Sequence, residues 1–233
     1  MWRQSFPTLI AIAGALSIMT HEHRATDQQS RQPSENVIRL PKPERTGTMT
    51  LEQAIRERRS VREYKAGEGL ALDELSQLLW AAQGITSEEG LRTAPSAGAT
   101  FPIEVYVLAG NVRNLQPGIY HFRPHSHDLV SVVEGDKRQE LGRAAIGQEQ
   151  VPSASAVIVL SAVFERTTGK YFERGRRYVY FEAGHVSQNV LLQAVALGLG
   201  AVPVGAFSDS EVKNVMHLRN GEDPLYLIPV GRK

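Results

Sequence analysis

A continuous apolar run, AVIVLSAVF at residues 156–164, constrains the fold of this chain more than any other feature. A strand with one face in water alternates polar and apolar side chains, whereas an unbroken apolar run of strand length is typical of a strand buried on both faces. Such a strand needs other elements packed on each side of its sheet. The run therefore predicts the centre of a layered domain.

Further strand and helix patterns surround this run. Thr50 and Gln53 have the spacing of a capping box, which predicts a helix start, and Leu51, Ala54 and Ile55 supply its apolar stripe. Apolar spacings of three and four predict helices at residues 72–84, 136–146, 178–200 and 209–217. Apolar or alternating stretches predict strands at residues 103–110, 118–124, 128–134, 200–207 and 225–231. Together these elements predict one α+β or α/β domain with helix 178–200 at its centre.

Charge and cysteine content exclude several classes of protein. The chain has 26 Lys plus Arg against 25 Asp plus Glu, a net charge of +1, so no global field favours nucleic acid. It has no cysteine, which rules out disulfides, thiolate metal sites and cysteine-ligated iron–sulfur clusters. Any redox chemistry must then come from an organic cofactor.

The N-terminal part of the chain differs from the rest. Residues 1–20 hold an apolar run of signal-sequence length, which is either an export signal, a short membrane anchor or the product of a misassigned start. Residues 21–48 are polar and predict a linker, and residues 49–233 are predicted to form the folded domain. The protein is exported or anchored if the signal is real and cytoplasmic otherwise. Membrane contact is expected only through residues 1–20.

A basic stretch, RERRSVREY at residues 56–64, follows the first predicted helix. Cations at a helix C-terminus are favourable on dipole grounds alone, so the stretch is open to a purely structural interpretation. The chain also ends in PVGRK, with Arg232 and Lys233 after a short apolar strand. If the fold brings the two basic clusters together, they would form a site for one phosphate.

Three further motifs have both a structural and a chemical interpretation. APSAGATFP at residues 94–102 is either a surface loop or a segment small enough for close approach to a flat ring. GHVSQN at 184–189 places two amides on a largely apolar helix, and TTGKYFERGRRY at 167–178 is a basic loop on composition alone. Glu182 and His185 have E-x-x-H spacing, but no second copy occurs, so no metal site is predicted.

Four segments of the chain, taken in order, resemble the FMN-dependent nitroreductase superfamily. They are RERRSVREY, APSAGATFPIEVYVL, TTGKYFERGRRYVYFEAGHVSQNVLLQAVALGLGAVPVGAF and PVGRK. Within it they most resemble the SagB/ThcOx-type dehydrogenases, which oxidise azoline rings in peptides. The resemblance runs from about residue 38 to residue 233. It implies an α+β fold with a mixed central sheet flanked by helices, and an intertwined homodimer.

The resemblance also implies an FMN site. It assigns the phosphate and ribityl chain to the two basic clusters, the flavin ring to the small-residue loop, an amide contact to the long helix and backbone contacts to the turn after it. The residues are Arg58, Arg59, Ser60, Arg62, Arg232 and Lys233 for the first group, Pro95, Ser96, Ala97 and Gly98 for the loop, Gln188 for the helix, and Gly200 and Ala201 for the turn.

The adjacent Lys170 and Tyr171 match the pair that the peptide-azoline dehydrogenases use to take the ring proton. A lysine removed from water beside other cations is favoured as the neutral amine that such a step needs. Arg174, Arg176 and Arg177 would supply those cations. Two alternatives stay open at this point, an NAD(P)H-dependent nitroreductase or quinone reductase and a non-catalytic flavin-binding or partner-docking module.

Overall fold

A computed structural model describes residues 36–233. The strands are β1 (Val37–Arg39), β2 (Ile103–Ala109), β3 (Gly118–Arg123), β4 (Asp128–Glu134), β5 (Ala156–Val163), β6 (Leu199–Ala201) and β7 (Glu222–Arg232). The helices are α1 (Leu51–Glu57), α2 (Leu72–Gln83), α3 (Arg138–Ala144), α4 (Gln150–Ser153), α5 (Glu165–Tyr171), α6 (Arg174–Ala196) and α7 (Asp209–Met216). The predicted signal or anchor segment and most of the predicted linker lie outside the described residues.

The strands form one sheet in the order β1-β4-β3-β2-β5-β7-β6. Every pair of neighbouring strands is antiparallel, and parallel pairing within the described residues is limited to isolated bridges such as Ser60 with Ala201. Helices flank the sheet, as predicted, but the sheet is antiparallel rather than mixed. This arrangement is the α+β class.

Strand β5 is buried on both faces, as its apolar run predicts. Ile158 and Leu160 belong to a core shared with α2 and α6, whereas Val157 and Val159 belong to a second core with residues of α3, α4 and α7. All four side chains have no solvent-exposed surface. The sheet is thus the middle of three layers, with α6 on one side.

The start of the folded unit differs from the prediction. Val37–Arg39 form β1 and pair with β4 at the edge of the sheet, although they lie inside the segment 21–48 predicted as a linker. Leu40 follows and is buried. The folded domain therefore begins before residue 49, because a three-residue edge strand is specified by its partner strand rather than by its own pattern.

Helix α1 starts where the capping box predicts. Thr50 Oγ1 accepts a hydrogen bond from Gln53 N at 3.2 Å, and Thr50 N donates to Gln53 Oε1 at 3.1 Å. Its predicted apolar stripe is not buried, however, because Leu51 and Ile55 are 62% and 56% exposed while Ala54 alone packs inward. The apolar side of α1 faces away from the core of its own chain.

Two local features around the helices are worth noting. Gly84 ends α2 in an extended conformation with φ −60°, and a Cβ atom here would lie 2.2 Å from Trp80 Cδ1. The glycine thus makes room for the tryptophan ring. Residues 167–178 form most of α5 and the start of α6 rather than a basic loop. No helix in residues 36–233 combines the length and apolar character needed to cross a membrane.

Candidate functional site

The two basic clusters of the sequence meet at one edge of the sheet. Val61 N donates to Ala201 O at 3.1 Å, and Lys65 N donates to Arg232 O at 3.0 Å, so the segment after α1 lies along β6 and β7. A cavity of about 180 Å³, which we call the basic cleft, opens between them. Its lining residues are Glu57, Arg59, Val61, Leu191, Val195, Leu199, Ala201 and Lys233.

Arg232 and Lys233 play different parts at this edge. Successive residues of a strand point to opposite sides, so only one of them can line the cleft. Lys233 does so, whereas Arg232 donates from Nη1 and Nη2 to the two carboxylate oxygens of Glu74, both at 2.7 Å. Arg232 can therefore join the cleft only by releasing a bidentate, half-buried ion pair.

The arginines that follow α1 combine both roles considered for them. Arg58 is the C-cap residue of α1, and Arg59 Nη1 donates to Arg56 O at 2.9 Å and to Arg58 O at 2.8 Å. Arg59 thus satisfies carbonyl groups at the end of the helix while it lines the cleft. Ser60 and Arg62 are exposed beside it. The sequence-predicted residues of this group are all near one another, with the side chain of Arg232 held by Glu74.

The floor of the cleft requires small residues. A Cβ atom on Gly200 would lie 2.6 Å from Val61 Cγ1, and one on Gly231 would lie 2.7 Å from the Tyr64 ring. Tyr64 fixes the segment from below, since its hydroxyl donates at 3.1 Å to Val61 O or Pro229 O. Burial raises the pKa of Tyr64, against a weaker opposing effect of the Arg62 charge, so the donor stays protonated.

A second group of predicted residues meets around Gly98. Lys170 Nζ donates to Gly98 O at 3.3 Å, and a Cβ atom on Gly98 would lie 2.5 Å from Tyr171 Oη. The Tyr171 ring in turn packs edge-on against Tyr178, with ring centroids 5.2 Å apart. The fold thus brings the Lys-Tyr pair onto the small-residue loop. Lys170 is exposed in the single chain rather than removed from water as expected.

The loop that carries Gly98 has an unusual backbone. Gly98, Ala99 and Phe101 have φ values of 59°, 53° and 45°. A left-handed conformation is costly for a bulky side chain and persists only where neighbours hold it. Phe101 N donates to Ser96 Oγ at 2.9 Å, and Phe101 O accepts from Arg166 Nη1 at 2.9 Å. Pro95 and Ala97 flank Ser96 in the same loop.

Glu182 lies buried near this loop and was considered in the sequence only as half of a metal motif. Its side chain belongs to α6, the residue is 3% exposed, and its Oε1 accepts no hydrogen bond. Burial raises the pKa of Glu182 to about 7, against the opposing effects of the Ser96 hydroxyl and the Arg92 charge. His185 is exposed, and residues 36–233 hold no group of three acidic, histidine or cysteine side chains suited to a metal.

The two amides of the long helix have different surroundings. Asn189 Nδ2 donates to Thr93 O at 3.2 Å, so it ties α6 to the segment before the loop. Gln188, the predicted flavin contact, is exposed on the opposite side together with Gly184. A Cβ atom on Gly184 would have no atom of this chain within 4 Å.

The basic cleft and the loop lie on opposite sides of α6. Glu182 is on the side of the loop, and Leu191, nine residues later, lines the cleft. Nine residues of α-helix make two and a half turns and rise about 14 Å, so the two side chains point in opposite directions. A ligand in the cleft is therefore separated by α6 from the loop of its own chain.

The arginines at the start of α6 surround a wide surface cavity of about 490 Å³ with Glu173 and Tyr180. Arg176 stacks over Phe164 at 4.8 Å and pairs with Glu173 at 3.8 Å, and Arg174 lies 6.0 Å from the Tyr178 ring. The arginines predicted to surround Lys170 are exposed, and Arg174 approaches the Lys-Tyr pair through the Tyr178 ring, which packs against Tyr171.

Comparisons with known proteins identify relatives of the whole folded unit. The family model described as "Nitroreductase family" matches residues 55–232. A Methanocaldococcus jannaschii protein named "Putative nitroreductase MJ1384" is 45% identical over 196 residues, which are 84% of this chain and 96% of that protein. A crystal structure from Ralstonia eutropha with the same description, again qualified as "putative", has a TM-score of 0.74 at 32% identity, covering 86% of this chain and 91% of the other.

A peptide-processing protein is also related. The Escherichia coli "Microcin B17-processing protein McbC" is 35% identical over 133 residues, which are 54% of this chain. The match covers 48% of McbC, so this chain spans about half the length of that relative.

Proposed function

Since the chain belongs to the nitroreductase family and is an oxidoreductase, we propose that it binds FMN and dehydrogenates an azoline-like ring in a peptide or small molecule, as SagB/ThcOx-type enzymes do. The observation that carries this proposal is the contact of the adjacent Lys170 and Tyr171 with Gly98. A general base beside the small-residue loop is a feature that ring oxidation needs and hydride uptake from a nicotinamide does not.

The basic cleft has the charge and size for the phosphate of FMN. Arg59 and Lys233 line it, and Arg58, Ser60 and Arg62 are the chain neighbours of its lining residues Arg59 and Val61. Ala201 also lines it, and a larger residue at the adjacent Gly200 would push the Val61 segment away. Arg232 supports the same edge through Glu74 and contributes to the phosphate only if that ion pair opens. When bound, FMN supplies a hydride acceptor at N5 and is reoxidised by oxygen or another acceptor.

The protein side of the reaction is a proton transfer. As the substrate ring loses a hydride, the neighbouring carbon loses a proton, and the neutral amine of Lys170 takes it. Tyr171 Oη donates a hydrogen bond or relays that proton. The carbonyl of Gly98 then accepts a hydrogen bond from the resulting ammonium, as it does in the structure at 3.3 Å.

The position of α6 supports a homodimer with a divided site. A flavin in the cleft of one chain is screened from that chain's Pro95–Gly98 loop by α6, so the loop and Lys170 of a second copy would complete the site. The exposed side of α6 and α1 offers the surface for that copy, with Leu51, Ile55, Phe181 and Gly184 outermost. Gln188 lies on the same surface and is the candidate amide contact to the flavin.

The test begins with purified protein reconstituted with FMN. A peptide containing one thiazoline ring should lose two hydrogens by mass spectrometry, and Lys170→Ala should abolish that loss while the protein keeps its flavin. Lys137→Ala, which changes a half-exposed lysine at the start of α3 on the other face of the sheet, is the matched control and should oxidise the peptide normally. If Lys170→Ala oxidised the ring at the wild-type rate, the proposed base would be wrong.

An NAD(P)H-dependent nitroreductase is the second candidate, favoured by the 45% identity to the Methanocaldococcus jannaschii protein over 84% of this chain. Anaerobic addition of NADH or NADPH distinguishes the two. Rapid bleaching of the bound flavin, with no oxidation of the thiazoline peptide, would favour the nitroreductase and replace the dehydrogenase proposal.

A further inference from the structure

Among residues 36–233, four buried side-chain polar atoms have no hydrogen-bond partner, and those of Gln83, Arg92 and Glu182 belong to one cluster beside the 96–101 loop. The four are Trp80 Nε1, Gln83 Nε2, Arg92 Nε and Glu182 Oε1. Buried polar groups are nearly always paired, so four unpaired atoms from α2, α6 and the segment before the loop are exceptional. Arg92 connects them, since its Nη1 donates to Gln83 Oε1 at 2.8 Å.

The same Arg92 reaches the strained loop. Its guanidinium carbon lies 4.3 Å from the centroid of the Phe101 ring, which it covers. Ser96 Oγ accepts a hydrogen bond from the Phe101 amide. The Ser96 hydroxyl and the Arg92 charge both lower the pKa of Glu182, against the larger effect of burial. Glu182 is therefore the one acidic group beneath the loop that interacts with both of the residues holding Phe101 in its left-handed conformation.

We propose that Glu182 is the positioning residue of this loop. Its ionised carboxylate holds the Ser96 hydroxyl and the Arg92 guanidinium, these two hold Phe101, and the loop so fixed presents the Gly98 carbonyl to Lys170. Glu182 touches neither substrate nor cofactor, and it acts through Ser96 and Arg92. The part of this inference that concerns catalysis rests on the proposed function. The part that concerns the conformation of the loop is independent of it.

A role in packing alone would not require a charged side chain at position 182. An apolar side chain would fit the buried side of α6 between Val179, Ala183 and Val186 without the cost of burying a carboxyl group. An ionised carboxylate beside Ser96 would polarise its hydroxyl and so strengthen the bond that this hydroxyl accepts from the Phe101 amide. Protonation of Glu182 removes this polarisation and the attraction to Arg92.

Other charged groups near the loop are already paired. Glu104 of β2 binds Arg166 of α5 at 2.6 Å and His121 of β3 at 2.7 Å. Burial opposes ionisation of Glu104, but the hydrogen bond with His121 and the charge of Arg166 prevail and lower its pKa. Glu104 is thus ionised where Glu182 titrates, so Glu104 does not change charge over the pH range of the test.

The test compares wild-type protein with Glu182→Gln, which keeps the shape and removes the titration. Because the folded-state pKa is raised to about 7, the wild type loses stability relative to the variant as pH rises from the ordinary glutamate range through 7. Over the same interval, amide hydrogen exchange at Ala99–Phe101 should slow in the wild type relative to the variant. Stability and loop order therefore change in opposite directions with pH, which ordinary packing does not produce.

Glu222→Gln is the matched control. Glu222 is 2% exposed, accepts hydrogen bonds from Tyr106 and Ser161, and lies on β7, which β5 separates from β2, the strand that follows the loop. Its substitution should leave exchange at residues 99–101 unchanged. Equal exchange at these residues in the wild type and in Glu182→Gln at pH 6 and pH 8 would overturn the inference.

Activity gives a second, separate readout. The rate of the reconstituted enzyme should rise with pH through about 7 in the wild type and lose that step in Glu182→Gln, with FMN content unchanged. If the wild type binds no FMN, the proposed function fails while the exchange experiment still decides the role of Glu182. If FMN binds and the loop does not respond to pH, only the role of Glu182 fails.

Discussion

At the scale of the residue, a single methyl group at Gly98 would collide with both side chains of the Lys-Tyr pair. The added Cβ would lie 2.5 Å from Tyr171 Oη and 2.7 Å from Lys170 Nζ, in a backbone at φ 59°. Gly98→Ala should therefore reduce turnover by at least tenfold, beyond a loss of about 1 kcal/mol in stability from the left-handed backbone. Thermal unfolding and steady-state rates measure the two effects.

Gly67→Ala is the control for Gly98→Ala. Gly67 has φ 79°, and a Cβ atom there would have nothing within 4 Å, so it shares the backbone strain and displaces no side chain. It should lose similar stability and keep its turnover. A Gly98→Ala enzyme as active as Gly67→Ala would show that the Lys170 and Tyr171 positions are not critical.

Lys233 and Arg232 should respond differently to substitution. A charged hydrogen bond is worth roughly 1.5–3 kcal/mol, so Lys233→Gln should weaken FMN binding about tenfold to a hundredfold with little change in stability. Arg232→Gln should instead destabilise the fold, because Glu74 loses both of its guanidinium bonds. Fluorescence titration with FMN and thermal unfolding separate these outcomes, and a larger affinity loss in Arg232→Gln would mean that the Glu74 pair opens on binding.

Sequence reasoning identifies some of these residues and misses others for physical reasons. Lys170 and Gly98 stand in motifs with a recognisable order, and the structure brings them into contact. The left-handed conformation of Phe101 has no sequence signal, because a bulky residue adopts it only under tertiary constraint. The sequence does contain a signal for Glu182, because an acid stands between Val179, Ala183 and Val186 on the apolar side of a helix. Its E-x-x-H spacing with His185 pointed to a metal motif instead.

At the scale of the element, α6 carries a mid-helix glycine that its own chain does not explain. Glycine costs about 1 kcal/mol relative to alanine in a helix, and no atom of this chain lies within 4 Å of a Cβ on Gly184. If a second copy packs closely there, Gly184→Leu should shift the protein from dimer to monomer. Mass measurement by light scattering tests this shift.

The control for the α6 substitution is Gln139→Leu. Gln139 is exposed on α3, which packs on the face of the sheet opposite to α6. That variant should keep the wild-type mass. A Gly184→Leu protein that remains dimeric would remove the α6 surface from the proposed interface.

Local signals predicted elements well where the interactions that build them are local. The capping box of α1, the apolar stripes of α2 and α6, and the doubly buried β5 were all predicted from short-range patterns and are confirmed. Strand β1 was missed because its three residues depend on β4 for their conformation. The inward face assigned to α1 was wrong because a periodic pattern shows which side is apolar, not which molecule covers it.

At the scale of the whole molecule, a divided site predicts complementation between two inactive variants. Mixed dimers of Arg59→Ala and Lys170→Ala would contain one site with both defects and one site with neither. With random mixing, half of the dimers are mixed, so roughly a quarter of wild-type activity should return. The measurement is turnover after co-refolding, compared with each variant refolded alone.

Complementation has a clear opposite result. If Arg59 and Lys170 of the same chain served one site, every site in a mixed dimer would carry a defect. No activity would then return, and the divided site would be rejected although the fold and the flavin remained as proposed.

The order of the sheet has a consequence for biosynthesis. Strand β7 lies between β5 and β6, and the basic cleft needs β6, β7 and the segment after α1 in register. Chains emerge from the ribosome N-terminus first, at about 5–20 residues per second, so β7 arrives after every other strand. A nascent chain can therefore assemble β1 to β5 before β7 emerges, but the basic cleft has no complete cradle for a phosphate until β7 has paired with β5 and β6.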